Sequence, residues 1–405
     1  MRISEPPKRF MVVGDTIGLP NGYASTSRMV NLAVILRDSG AKVEILLVKP
    51  SDYSGTVTNF HPRGEVHGIP FRYMPGCTTF STNTFGRRFQ SIKGLLTTCC
   101  RILLAGSDKV VVLAYTRNIE VLFFLRLACW IKGYSVVLEL CEWPTTWPVT
   151  NFFRKLHYKL YCKYCLALSD GVIVISSPIE GIVREYNLVR NEQLPMIKIP
   201  ILSEDTVRVP ASVPNVEHVG GYLLFCGNLQ YRDTVQCVIK AFAAIAISYP
   251  SLRLVIAGST KDKSCLEYFL RLAEQLNIQD KISFTGFVER EVLLRLYTDA
   301  VALLIPLFDD SVSKARFPTK LAEYLLSGRP VVTTAFGEVD AYLEDGVNAF
   351  IAEDDSSATF ARKIGDVLAD SDAALQIGTN GRKVALANFT CTAHTERVKE
   401  WLERL

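Results

Sequence analysis

The segment Arg316-Phe317-Pro318-Thr319-Lys320-Leu321-Ala322-Glu323-Tyr324-Leu325-Leu326-Ser327-Gly328-Arg329-Pro330-Val331-Val332 combines a loop, a short helix and a turn into a buried strand. Pro318 suits the first helical turn, and Gly328 and Pro330 end the helix about three turns later. The N-terminus of such a helix offers unpaired N–H groups and a positive dipole end, so it can hold an anion. Thr319 adds a hydroxyl at that end and Lys320 a cation, while Glu323 lies one turn further on, near the face that Lys320 shares. An anion grip followed by a carboxylate suits a ligand that carries both phosphate and a sugar diol.

Working outward, short apolar strands alternate with amphipathic helices, the pattern of doubly wound α/β layers. In the first half, strands are expected at Phe10–Val13, Lys42–Leu47, Lys109–Leu113, Ser135–Leu140, Gly171–Ile175 and Met196–Ile199. Helices are expected at Ser25–Ser39, Arg88–Leu104, Val121–Lys132, Phe152–Leu168 and Ser177–Tyr186. Leu202–His218 is polar and contains Pro210 and Pro214, which reads as an interdomain linker. The pattern then restarts with strands at Tyr222–Phe225, Arg253–Ala257, Ile282–Thr285, Val301–Ile305, Pro330–Thr333 and Ala349–Ile351. Ala358–Asp370 through Thr392–Leu405 reads as helical. The expected division is 1–205, 206–390 and a last helix, 391–405, packing back on the N-terminal domain. Two such domains face a cleft, and ligands bind at the carboxyl ends of the strands.

The 405 residues exceed one ordinary core, and 49% hydrophobic with 21% charged residues describes a globular chain. The net charge of +4 hides an asymmetry, because residues 1–205 carry 24 Lys and Arg against 16 Asp and Glu. A basic first half suits an anionic membrane surface ahead of nucleic acid, since no aromatic-basic nucleic-acid module is visible. Met1–Arg9 is polar and does not read as a signal peptide. No apolar run reaches the roughly 20 residues that span a bilayer; Val121–Trp130 is short and broken by Arg126. Eleven scattered cysteines suit a reducing cytoplasm. Cys162-Lys163-Tyr164-Cys165 lacks a second pair, and His61, His67, His157, His218 and His394 have no ligand spacing, so no metal site is expected.

Several second-half segments converge on strand ends. Phe225-Cys226-Gly227-Asn228-Leu229 ends a strand in a Gly turn, with Arg232 and Asp233 before the next helix. Ile256-Ala257-Gly258-Ser259 and Phe284-Thr285-Gly286-Phe287-Val288 are two further strand-to-loop transitions, the second able to border a planar base. In this order, ahead of Phe317–Val332, these segments resemble the donor domain of the GT-B glycosyltransferases, specifically glycosyltransferase family 4. The resemblance covers nearly the whole chain and is strongest from Tyr222 to Ile351. It implies two Rossmann-like domains, a nucleoside diphosphate sugar donor, retention of anomeric configuration, and no metal or other cofactor. It implies Arg232 and Lys320 on the diphosphate, Thr319 near phosphate, Glu323 on the ribose hydroxyls, and Gly227, Gly286, Val288 and Arg316 around the donor. Two positions depart from the family. A Glu common eight residues before the Glu323 position is Ala315 here, with Asp309, Asp310 or Arg316 as candidate substitutes, and Arg232 stands where Lys is usual.

The first half fits an acceptor domain. Gly14 to Gly22, followed by Ser25 and Arg28, is a Gly-containing loop without the dinucleotide fingerprint, similar to the family loop that borders acceptor and donor phosphates. Leu138–Pro144 ends a strand with Glu139 and Glu142, of which Glu142 is placed to orient or deprotonate an acceptor hydroxyl. The basic-aromatic helix Phe152–Tyr161, and Arg87, Arg88, Lys93 and Arg101 with Leu95, Leu96 and Leu103, read as interfacial membrane faces. The expectation is a cytoplasmic enzyme, peripheral on the inner face of the cell membrane. It would transfer a sugar to a saccharide hydroxyl of a lipid-linked oligosaccharide in surface polysaccharide biosynthesis, without nucleic acid. The alternatives are a sugar-nucleotide epimerase or phosphorylase of the same architecture, or a non-catalytic nucleotide-sugar-binding subunit.

Overall fold

Continuous runs of Val, Ile and Leu bounded by turns form strands buried on both faces, and such strands assemble only into parallel sheets covered by helices. The computed structural model describes residues 9–15, 17–22, 24–55, 57–106, 109–144, 151–191, 193–204, 221–260, 262–309 and 317–404. It divides into one unit of Met1–Ser203 with Cys391–Leu405, and a second of Glu204–Thr390. Most of the expected linker, 205–218, lies outside the described residues.

In the first unit the strands are β1 (Arg9–Gly14), β2 (Lys42–Leu47), β3 (Arg63–Val66), β4 (Ile69–Tyr73), β5 (Val110–Tyr115), β6 (Ser135–Leu140), β7 (Gly171–Val174) and β8 (Met196–Lys198). They form one sheet in the order β3-β4-β2-β1-β5-β6-β7-β8, parallel except for the β3–β4 pair. The helices are α1 (Ala24–Asp38), α2 (Thr84–Leu103), α3 (Ile119–Lys132), α4 (Phe152–Tyr164) and α5 (Ser177–Arg190). The chain steps one way along the sheet from β1 to β4 and the other way from β5 to β8. Right-handed crossovers therefore place α1 on one face and α2 to α5 on the opposite face.

The β3–β4 hairpin escaped the sequence pattern. Strand β3 is a polar, largely exposed edge, and β4 carries Pro70 near its start, a residue that interrupts a strand pattern. The two strands are joined by His67 and Gly68, both at positive φ (49° and 72°), a left-handed pair that matches the twist of a hairpin. Helix α2 begins earlier than periodicity indicates, because the Asn83 side chain caps it by accepting from the Gly86 N–H.

The second unit repeats the plan with β9 (Tyr222–Cys226), α6 (Arg232–Ile245), β10 (Arg253–Ala257), α7 (Lys263–Gln275), β11 (Ile282–Gly286), α8 (Arg290–Asp299), β12 (Ala302–Ile305), α9 (Thr319–Leu326), β13 (Val331–Thr334), β14 (Phe350–Ala352), α10 (Ser357–Ala369) and α11 (Ser371–Asn388). Its sheet is wholly parallel in the order β11-β10-β9-β12-β13-β14, with the connection reversing between β9 and β12. Helix α9 is shorter than the sequence indicated. It has eight residues, with Pro318 as its cap at φ −68° and ψ 116°, not its first turn. Gly328 ends it at φ +76°.

The last helix, α12 (Thr395–Leu402), packs on α1 within the first unit. Its Val398, Trp401 and Leu402 are buried in one cluster with Met29, Leu32, Ile35 and Leu36. Among the described residues no helix is long and apolar enough to cross a membrane. Trp401→Ala should destabilise the first unit by about 3–5 kcal/mol. Denaturant unfolding of wild type, Trp401→Phe and Trp401→Ala checks this, with the phenylalanine variant in between.

Candidate functional site

Three glycine turns close the carboxyl edge of the second sheet side by side. The Gly227 N–H donates to the Ala257 carbonyl (3.0 Å), the Gly258 N–H to the Gly286 carbonyl (2.9 Å), and the Leu229 N–H to the Ser259 carbonyl (3.4 Å). The strand ladder thus continues past the strands into the loops. Gly258 sits at φ +149°, and a Cβ there would lie 1.9 Å from the Gly227 carbonyl oxygen. Only glycine fits at that approach. Val288 is half-buried beside the Gly286 turn, and Phe287 is exposed.

Helix α9 is fastened to this edge. The Cys226 N–H at the end of β9 donates to the Tyr324 hydroxyl (2.7 Å), and Tyr324 packs edge-on against Tyr297 of α8 at 5.2 Å. Phe317 stacks on Tyr342 and meets Phe389, each at 5.5 Å, which anchors the residues leading into the helix. These contacts set the start of α9, with Thr319 and Lys320 both half-buried, across from the Gly227 turn.

Glu323 is the hub of this corner. Its Oε1 accepts from Arg290 (2.7 Å), and its Oε2 accepts from Lys320 (3.1 Å) and from the Tyr297 hydroxyl (3.1 Å). Burial pushes the Glu323 pKa up, but the opposing fields and hydrogen bonds of Lys320 and Arg290 outweigh it and hold the carboxylate below its ordinary value. Three of about four lone-pair sites on the carboxylate are in use, and Lys320 retains donors beyond the one it gives Glu323. Arg232 opens α6, half-exposed, with its guanidinium 3.1 Å from the Ser264 hydroxyl, 3.7 Å from Asp262 and over the Tyr268 ring. Arg316, Asp310 and Ala315 lie outside the described residues, and the Asp309 N–H donates to Asp355 (3.1 Å). Sequence reasoning missed Arg290 and Tyr297. Their spacing of seven residues on one helix, with a cation and a phenol on the same face, was the available signal.

The first unit has a cavity of about 380 Å³ where its own connections reverse, between β1 and β5. Ser25 and Glu142 line it, as do Asp15, Thr116, Arg117, Glu139 and Tyr161. Glu142 pairs with Arg117. Asp15 is buried, accepting from Asn118 and, at 3.4 Å, from Lys49. The Tyr161 hydroxyl donates to the Thr116 carbonyl at 2.9 Å. Gly22 lies on the exposed loop, where a Cβ would collide with Thr26.

Arg28 requires correction. It is not among the residues that line the cavity. It is buried, one helical turn after Ser25, with its Nε on Glu139 (2.9 Å) and its two terminal nitrogens on the carbonyls of Pro200 and Ile199. Every arm of the guanidinium is used inside the protein, so Arg28 ties α1 to β6 and to the chain leaving β8. Glu139, in turn, has one oxygen on Arg28 and no hydrogen-bond partner for Oε2 among the described residues. Burial raises its pKa above the ordinary carboxylate value, against the opposing pull of Arg28. Cys141 beside it is pushed up to about 12, first by burial, and the Cys165 thiol likewise to about 12. Both are inert thiols at neutral pH. Among the described residues no group of His, Cys, Asp and Glu is arranged to hold a metal ion.

Two doubly wound α/β domains, the second with glycine turns and a cationic helix start on its switch-point edge, define the GT-B class of sugar-transferring folds. Residues 215–384 match the family model of the glycosyl transferases group 1. The D-inositol 3-phosphate glycosyltransferase of Mycolicibacterium smegmatis is 26% identical over 175 residues, 43% of this chain and 38% of that protein. The match thus spans about two fifths of that curated relative. Sucrose-phosphate synthase of Thermosynechococcus elongatus superposes with a TM-score of 0.71 at 16% identity, covering 97% of this chain and 98% of its own. HepE of Anabaena, solved in complex with UDP-glucose, does so at 0.67 and 14% identity over 98% and 100%.

Because the folded Glu323 pKa is depressed, its ion pairs stabilise the second unit at pH values above the ordinary carboxylate range. That stabilisation is lost as pH falls through the lowered value. Glu323→Gln should be less stable than wild type by roughly 1–3 kcal/mol at neutral pH, with the gap closing in acid. Thermal melts of both proteins across the acid range test this. A gap that persists below the carboxylate range would contradict it.

Proposed function

We propose that the chain is a retaining glycosyltransferase. It moves a sugar from a nucleoside diphosphate donor to a saccharide hydroxyl, on a lipid-linked oligosaccharide of surface polysaccharide synthesis at the inner face of the cell membrane. The observation that carries the reading is the corner where the start of α9, with Lys320 and Glu323, is fastened beside the Gly227 turn, inside the segment that matches the family. Retention and independence of metal follow from the family resemblance.

In this reading the diphosphate lies on the N–H groups at the start of α9, near the Thr319 hydroxyl. Lys320 and Arg232 neutralise the negative charge that grows on it as the bond from the sugar breaks. Two fixed cations at the leaving group supply the electrostatics that a divalent ion supplies elsewhere. Glu323 accepts from the ribose hydroxyls through its remaining lone pair and by exchanging a cation partner. The Gly227 and Gly286 turns, having no side chain, let ligand approach the backbone, and Val288 borders the base. Uridine is the base to test first, because HepE was solved with UDP-glucose.

The cavity of the first unit takes the acceptor. Asp15 and Glu142 offer carboxylate oxygens to hydroxyl donors. Glu142, held by Arg117, orients the attacking hydroxyl and draws off its proton.

The test is transfer by purified protein from a panel of nucleotide sugars to lipid-linked and free oligosaccharides, with NMR assignment of the new anomeric centre. Lys320→Ala and Arg232→Ala should each lower kcat/KM by roughly 10²–10³. Glu142→Gln should lower kcat by roughly 10²–10⁴ while donor binding persists. EDTA should leave the rate unchanged. Binding of donor without transfer to any acceptor would leave only a nucleotide-sugar-binding subunit.

A further inference from the structure

We propose that the outer side of the α2–α3–α4 layer is a docking surface for an anionic lipid bilayer, with α3 at its centre. The proposal rests on the membrane location in the function proposed above, but its argument needs only the surface.

Helices α2 to α5 lie on one face of the first sheet, and α3 packs against both α2 and α4. Apart from Glu120, Arg126 and Lys132, helix α3 is apolar on both its buried and its exposed side. Val121, Leu122, Leu125, Ala128 and Cys129 are buried toward the sheet, while Phe123, Phe124, Leu127, Trp130 and Ile131 are exposed on the other side. A helix of that composition is ordinarily covered on both sides. Its neighbours extend the uncovered side. Trp130 is 71% exposed, Phe152 and Phe153 at the start of α4 are 72% and 78%, and Phe85 at the start of α2 is 81%. Exposed apolar side chains this numerous on adjacent helices mark an interaction surface.

Charge identifies the occupant. The three helices carry ten Lys and Arg, and their one carboxylate, Glu120, is paired with His157. Arg88, Lys93, Lys155 and Lys159 form no ion pair with described residues. A second copy docked through the same face would bring like charges together. Aromatic side chains flanked by long cationic ones fit a headgroup region with net negative charge, rings at the acyl boundary and ammonium groups among the phosphates. The sequence marked the basic, leucine-bearing α2 and the basic-aromatic α4 as separate faces. The structure adds α3 between them and makes one surface of the three.

Full-length protein should co-sediment with phosphatidylcholine vesicles that contain phosphatidylglycerol, weakly with phosphatidylcholine alone, and less as salt rises. Phe152→Ser with Phe153→Ser, Trp130→Ser, and Lys155→Glu with Lys159→Glu should each lower the vesicle partition coefficient at least tenfold. All are surface changes, checked by unchanged thermal melts, and all should keep wild-type transfer to a water-soluble acceptor. No binding to the anionic vesicles at low salt, or binding that all three variants retain, overturns the docking surface. So does a dimer in sedimentation equilibrium that these variants dissolve while vesicle binding is absent. Transfer to the soluble acceptor in the face of such a result would leave the proposed activity standing. Vesicle binding with no transfer from any donor would instead remove the activity and keep the surface.

Discussion

In a sheet whose strands all run the same way, every loop leaving a carboxyl end emerges along one edge. Where the direction of the connections reverses, neighbouring loops part and leave backbone groups uncovered. This constraint organises the second unit. β9 and β12 are adjacent there, the helices that follow them are α6 and α9, and those helices carry Arg232 and Lys320. The glycine turns give that edge a smooth floor because the strand ladder runs on into the loops. The contact of Gly258 with Gly227 is the tightest point in it.

The same geometry in the first unit produces a different surface. Where the second unit places a cationic helix start, the first has a cavity walled by Asp15, Glu139 and Glu142. Its floor is held by a buried guanidinium, since Arg28 joins three segments of chain distant in sequence. An ion pair so placed is not a large source of net stability, because taking both charges from water offsets much of their attraction. Its effect is on geometry. It fixes where the Glu139 carboxylate stands beside the cavity, with its second oxygen buried.

The strands were legible because each is a short run of apolar residues bounded by Gly, Pro or polar turns, and burial on both faces demands that composition. β3 had no such signature because an exposed edge places no apolar demand on its residues. The motif of Phe317 to Val332 was legible as chemistry but less so as geometry. Pro318 stands one place before the first helical turn that Pro favours, and only the backbone angles separate the two positions. Arg28 was misplaced because nearness in sequence to a glycine loop does not tell which way the fifth side chain of a helix points. Arg290 and Tyr297 were not recognised as partners of Glu323, since the strand β12 and the residues after it separate them in sequence, and only packing brings α8 against α9.

Trp401 and its neighbours complete a core begun by residues of the first 40 positions, and the intervening second unit is self-contained. The second unit is therefore an insertion in the first. During synthesis the strands, helices and hydrogen-bonded turns of Glu204–Thr390 can close on themselves while the first unit still lacks the helix that covers α1. Until that last segment emerges, the apolar side of α1 around Leu32 and Leu36 stays uncovered. The core of the first unit is complete only when segments from both sides of the second unit in sequence are in place.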